Sequence, residues 1–138
     1  MHTVNFEEVL EKIVAQDQRY HRPAYFFLRE ALDYTQKKIG REDQSEPRHV
    51  SAQELLGGIR DFALSQFGPM TLTVLAEWGI HRGEDFGEIV FNMVENNLLA
   101  KTDGDRREDF QNSYEFREAF QKPFLPAKKI RQARSFVP

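Results

Sequence analysis

The sequence predicts a mainly α, α+β fold: an N-terminal helical hairpin packed on a winged-helix-like unit of three helices and a β-hairpin. Three observations carry this. Two amphipathic stretches precede a polar connector, Gly40 to His49, that contains Gly and Pro. Three further apolar-periodic stretches follow it, separated by Gly68-Pro69 and Trp78-Gly79. The last runs into Leu98-Leu99-Ala100-Lys101-Thr102, with Asp103-Gly104 as a tight hairpin turn.

Each element has its own local reason. Asn5 and Glu8 form a capping pair for the first helix, and Val4 over Val9 a hydrophobic staple. Phe6, Val9, Leu10, Ile13 and Val14 recur at three and four residues, which makes one apolar stripe. After a polar break from Asp17 to Arg22, Pro23 suits the first turn of a second helix that runs to Ile39 and ends at Gly40. Ala24, Tyr25, Phe27, Leu28, Ala31, Leu32, Tyr34, Thr35 and Ile39 cover about half of its circumference, so it should pack on two neighbours. Phe26 projects on the opposite side among Arg29, Glu30, Asp33 and Lys37.

Beyond the connector, Ser51 and Glu54 form a capping box, and Val50 can staple onto Leu55. That helix turns Leu55, Ile59, Phe62 and Ala63 to the core and points Leu64 away from it. Gly57 and Gly58 inside it cost about 1 kcal/mol each relative to Ala. Chance tolerance and close approach by a neighbouring element both explain the pair, and Gly58 is the better placed for an approach. A short helix ends at Trp78-Gly79. The next, Glu84 to about Asn97, buries Phe86, Ile89, Val90, Met93 and Val94 and turns Glu84, Asp85, Glu88, Asn92 and Glu95 outward. A last short helix, 113–121, carries Tyr114, Phe116 and Phe120 before Pro123-Phe124-Leu125-Pro126. Residues 1–126 are thus expected to form one domain: hairpin 5–40, winged-helix-like unit 50–111, and the short helix. Residues 127–138 are expected to be a flexible basic tail.

Composition narrows the function classes. A hydrophobic content of 40% with twelve Phe is enough for one core. The absence of Cys excludes disulfides, thiolate zinc sites and cysteine nucleophiles. No apolar run approaches the roughly 18 residues of a membrane span. The N-terminus lacks the basic start and apolar middle of a signal peptide, so a cytoplasmic location and no membrane partner are expected. The net charge of −3 hides an asymmetry. Arg48 to Ala100 holds three basic residues against seven acids, whereas Ala127 to Pro138 holds Lys128, Lys129, Arg131 and Arg134 and no acid. Duplex DNA would be repelled by the first segment and attracted by the second.

No motif assigns a catalytic, cofactor-binding or metal-binding residue. His2, His21, His49 and His81 are scattered, and no two stand four apart. Asp103-Gly104-Asp105 has Arg107 and Glu108 where a calcium loop needs Asp or Asn and Gly. Glu84, Asp85 and Glu88 lie near a helix start, where the macrodipole stabilises them, on a face read as solvated rather than as an acid–base pair. No phosphate loop and no nucleophile elbow is present. An enzyme would require a cleft lined by Tyr20, His21, Arg48, His49 or Trp78.

Four blocks have distinctive wording: RYHRPAYFFLREALDYTQKK (19–38), RHVSAQELLGGIRDFALSQFGPM (48–70), WGIHRGEDFGEIVFNMVENNLLAKT (78–102) and FQKPFLP (120–126). Together they resemble a family of uncharacterised bacterial proteins found largely in the Planctomycetes–Verrucomicrobia group. The resemblance implies a small intracellular stand-alone protein. It supplies no activity, cofactor or catalytic residue, and the tail lies outside it.

The functional expectation is a non-enzymatic protein-interaction module, acting on an unidentified protein or on a second copy of itself through Phe26 and Leu64. The alternative is RNA, DNA or ribosome association through Lys128, Lys129, Arg131 and Arg134. Four phosphate contacts from that tail would give a log K against log salt slope of about −3 to −4. RNA binding measured with and without residues 127–138 checks this; equal binding by both forms removes the tail from consideration.

Overall fold

Five α-helices follow one another in the computed structural model, which describes residues 5–43, 50–99, 106–111 and 113–126. They are α1 (Phe6–Gln16), α2 (Arg22–Asp43), α3 (Ala52–Phe67), α4 (Thr71–Glu77) and α5 (Gly83–Glu95). The caps read from the sequence form. Asn5 Oδ1 accepts from Glu8 N at 3.2 Å, and Ser51 with Glu54 makes a reciprocal capping box. Val4, the expected staple, lies outside the described residues, as do the connector residues 44–49. α2 continues through Gly40 to Asp43 instead of stopping at Gly40. A Cβ at Gly40 would meet nothing within 4 Å, so that glycine lowers helix propensity without breaking the helix.

α2 is the central element. It packs chiefly on α3, and also on α5 and α1, burying Ala24, Tyr25, Phe27, Leu28, Ala31 and Thr35. α3 answers with Ala52, Leu55, Leu56, Gly58, Ile59 and Ala63. Of the two explanations for its paired glycines, the structure selects close approach for one. A Cβ on Gly58 would overlap the Thr35 side chain, whereas one on Gly57 would meet nothing within 4 Å. Thr35 is itself fixed by its buried hydroxyl, which donates to the Ala31 carbonyl at 2.7 Å.

The β part of the expected fold is corrected. The proposed turn, Asp103-Gly104, lies outside the described residues, and no strand occurs among those described. α5 closes at its C-terminus with Asn97 in the left-handed region (φ 63°). Asn97 N donates to Val94 O at 3.1 Å and Leu98 N to Met93 O at 2.8 Å, the paired bonds of a Schellman motif. Arg107–Phe110, which follows the proposed turn within the expected 50–111 unit, is a 3-10 turn lying on α5. The reason is on α5 itself. Gly83 and Gly87 leave its flank without Cβ atoms, and Ser113 and the Phe110 ring occupy those two places. The three helices α3 to α5 are therefore present, with no wing among the described residues.

The C-terminal helix is also shorter than expected. It begins at Phe116, continues as a π-helical turn over Arg117–Gln121, and gives way to a 3-10 turn at Lys122–Phe124. Its predicted aromatic residues do meet: Phe116 and Phe120 rings lie 5.0 Å apart edge to face, and Tyr114 lies 5.6 Å from Phe120. Tyr114 donates to the Leu56 carbonyl at 2.7 Å, tying this layer to α3. Among the described residues the structure is mostly helical, and no helix is long and apolar enough to cross a membrane. Residues 127–138, with Lys128, Lys129, Arg131 and Arg134, lie outside the described residues.

The two glycines of α3 make opposite predictions. Gly57→Ala should stabilise the protein by up to about 1 kcal/mol through helix propensity alone. Gly58→Ala should destabilise it by about 1–3 kcal/mol through overpacking against Thr35. Urea unfolding midpoints at unchanged slope measure both, and equal shifts of one sign would contradict the close approach.

Candidate functional site

The α1–α2 turn holds most of the polar network that ties the helices together. Asp17 ends α1, and its carboxylate accepts from the Arg19 backbone N–H (3.1 Å) and from Arg19 Nε and Nη2 (2.9 and 2.7 Å). Asn92 Nδ2, on α5, donates both to Asp17 and to the Tyr25 hydroxyl, each at 3.0 Å. Glu88 Oε1 accepts from Arg19 at 3.1 Å and from Arg107 at 2.8 Å. Arg107 also reaches Glu95 at 2.7 Å, with its guanidinium 5.4 Å from the centre of the Phe91 ring. The outward carboxylates of α5, expected on a solvated face without local cations, are thus partly answered by arginines distant in sequence.

Tyr20 extends the network inward. Its ring is buried and its hydroxyl donates to Asp85 Oδ1 at 2.6 Å, while Asp85 Oδ2 accepts from His81 N and Arg82 N at the start of α5. Burial, and then the neighbouring Asp85 carboxylate, push the Tyr20 hydroxyl far above its ordinary value. Burial also raises that of Tyr25. Both phenols are therefore held protonated as hydrogen-bond donors or acceptors and are not poised as bases. No buried side-chain nitrogen or oxygen among the described residues lacks a partner. This network clasps α1, α2, α5 and the 106–111 segment to one another.

A concave surface among the described residues lies elsewhere, on the outer side of the α2–α3 contact. Phe27 is its centre, with Phe62 and Phe67 of α3 each 5.5 Å away, ring to ring, and Trp78 at 5.6 Å. Phe67 and Trp78 meet edge to face at 5.6 Å, and Tyr34 continues the series at 5.3 Å from Phe62. The sequence lines the groove from i, i+4 spacing: Phe26, Glu30 and Tyr34 fall on one side of α2, and Phe62 and Gln66 on one side of α3. Trp78 is delivered by the turn after α3. Gly68 (φ 52°) reverses the chain, and the Thr71 hydroxyl donates back to the Gly68 carbonyl at 2.6 Å. Gly79 (φ 90°) then seats its backbone so closely against Arg19 that a Cβ would overlap the Arg19 carbonyl oxygen, and His21 N donates to Trp78 O at 3.1 Å. The groove has two adjoining lobes of about 520 and 660 Å³ that share Phe26, Glu30 and Phe62.

The sequence-predicted residues distribute as follows. Phe26 is half-buried, stacks 5.1 Å from Phe6 and lines both lobes. Leu64 is half-buried against the core and lines neither lobe. Of the five residues proposed for a cleft, His21 meets Trp78 through a backbone hydrogen bond, Tyr20 turns its hydroxyl to Asp85, and Arg48 and His49 lie outside the described residues. No group of three or more His, Asp or Glu suited to a metal occurs among the described residues. Sequence reasoning missed the groove because it assigned Phe27 and Phe62 to apolar faces packed on neighbouring helices. It also missed the exposed apolar side chains Met70, Phe124 and Leu125; each stands next to a proline, a signal of a chain that is turning at the surface.

Arg19 holds the Asp17 carboxyl well below its ordinary value of 3.8, so this group stabilises the fold above that value and ceases to as pH falls through the lower native one. Asp17→Asn should cost about 1 kcal/mol at neutral pH, a figure discounted for the half-exposed guanidinium. The difference from the parent should be constant above about pH 5 and shrink below about pH 4. Urea titrations of both proteins across that range measure it; a gap independent of pH would show that Asp17 acts by shape and not by charge.

Compared with family models, curated proteins and solved structures, the chain matches none.

Proposed function

We propose that this protein is a non-enzymatic interaction module whose contact surface is the aromatic groove along α2 and α3. The single observation that carries this reading is the ladder of five rings, Trp78, Phe67, Phe27, Phe62 and Tyr34, with half-buried members facing an open concavity. Aromatic side chains present large contact area at a low cost in conformational entropy, and aromatic-lined grooves are a recurring mode of peptide recognition. The chemistry around the groove also favours binding over catalysis. The protein's connected polar network, from Asp17 to Arg107, is used up in joining secondary-structure elements.

Of the two contact residues expected from the sequence, Phe26 belongs to this surface and Leu64 serves as its internal control. An array of end-blocked random hexapeptides probed with the full chain provides the test. The parent protein is expected to retain a reproducible subset of peptides. Phe62→Ala should lose retention at least tenfold, while costing about 1–3 kcal/mol of stability for a half-buried ring, checked by thermal unfolding. Leu64→Ala should retain the same subset. An array on which the parent and Phe62→Ala are indistinguishable overturns the reading.

A further inference from the structure

We draw no further inference here: the strongest candidate, the aromatic groove along α2 and α3, belongs to the site already described, and with Arg22, Arg29 and Lys37 set against Glu30 and Asp33 on its rim, nothing in the structure shows what covers it.

Discussion

The close passage of α2 over α3 at Thr35 and Gly58 is the constraint from which the other features follow. Helices whose contact line holds ordinary side chains lie about 8–10 Å apart, and a glycine opposite a small buried residue allows the low end of that range. Bulky residues have no room on such a line. In this chain they stand beside it, so Phe27 of α2 meets Phe62 and Phe67 of α3 as neighbours and not as interdigitated core layers. The groove is thus the outer margin of this close contact.

A second element, the arginine–carboxylate clasp, changes how the surface charge is read. α5 bears four acidic side chains, which on an isolated helix would make a strongly anionic face. With Arg19 and Arg107 both bonded to Glu88, and Arg107 also to Glu95, that face becomes a set of matched pairs with half-buried Asn92 at its centre. Arginine suits this because its planar fork can serve two acceptors at once. Its cost is availability: guanidinium groups committed to carboxylates are poorly placed to bind phosphate. α5 therefore resembles a girder clamped on two sides more than a helix presented to a nucleic-acid groove.

What was legible in the sequence was local. The caps at Asn5 and Ser51, the turn at Gly68-Pro69 and the end of α4 at Trp78-Gly79 depend on residues within a few positions of one another. The broad apolar face of α2 and the special place of Gly58 were also readable, because both follow from helical periodicity. The expected hairpin has no strand among the described residues: Asp103-Gly104 is a strong local turn signal, while what made Arg107–Phe110 a 3-10 turn is a tertiary one. That signal, Gly83 and Gly87 one turn apart on α5, was visible as spacing, but nothing in the sequence said which segment would fill the space. The groove was hidden for a similar reason. Phe62 and Trp78 fit a helical core pattern equally well whether the next layer is protein or solvent, and only the packing of α2 on α3 decides that.

Trp78 is the only tryptophan in the chain, and its position has an optical consequence. The indole sits edge-on to Phe67 at 81° and is half-buried at the junction of α2, α3 and α4. The other large aromatic cluster, Tyr114 with Phe116 and Phe120, contains no indole and lies in the C-terminal layer. Emission excited at the red edge of protein absorption therefore reports one corner of the molecule. The chain carries, without any label, a spectroscopic reporter of rearrangement at the α2–α3 margin that loosening of the C-terminal layer alone would leave unchanged.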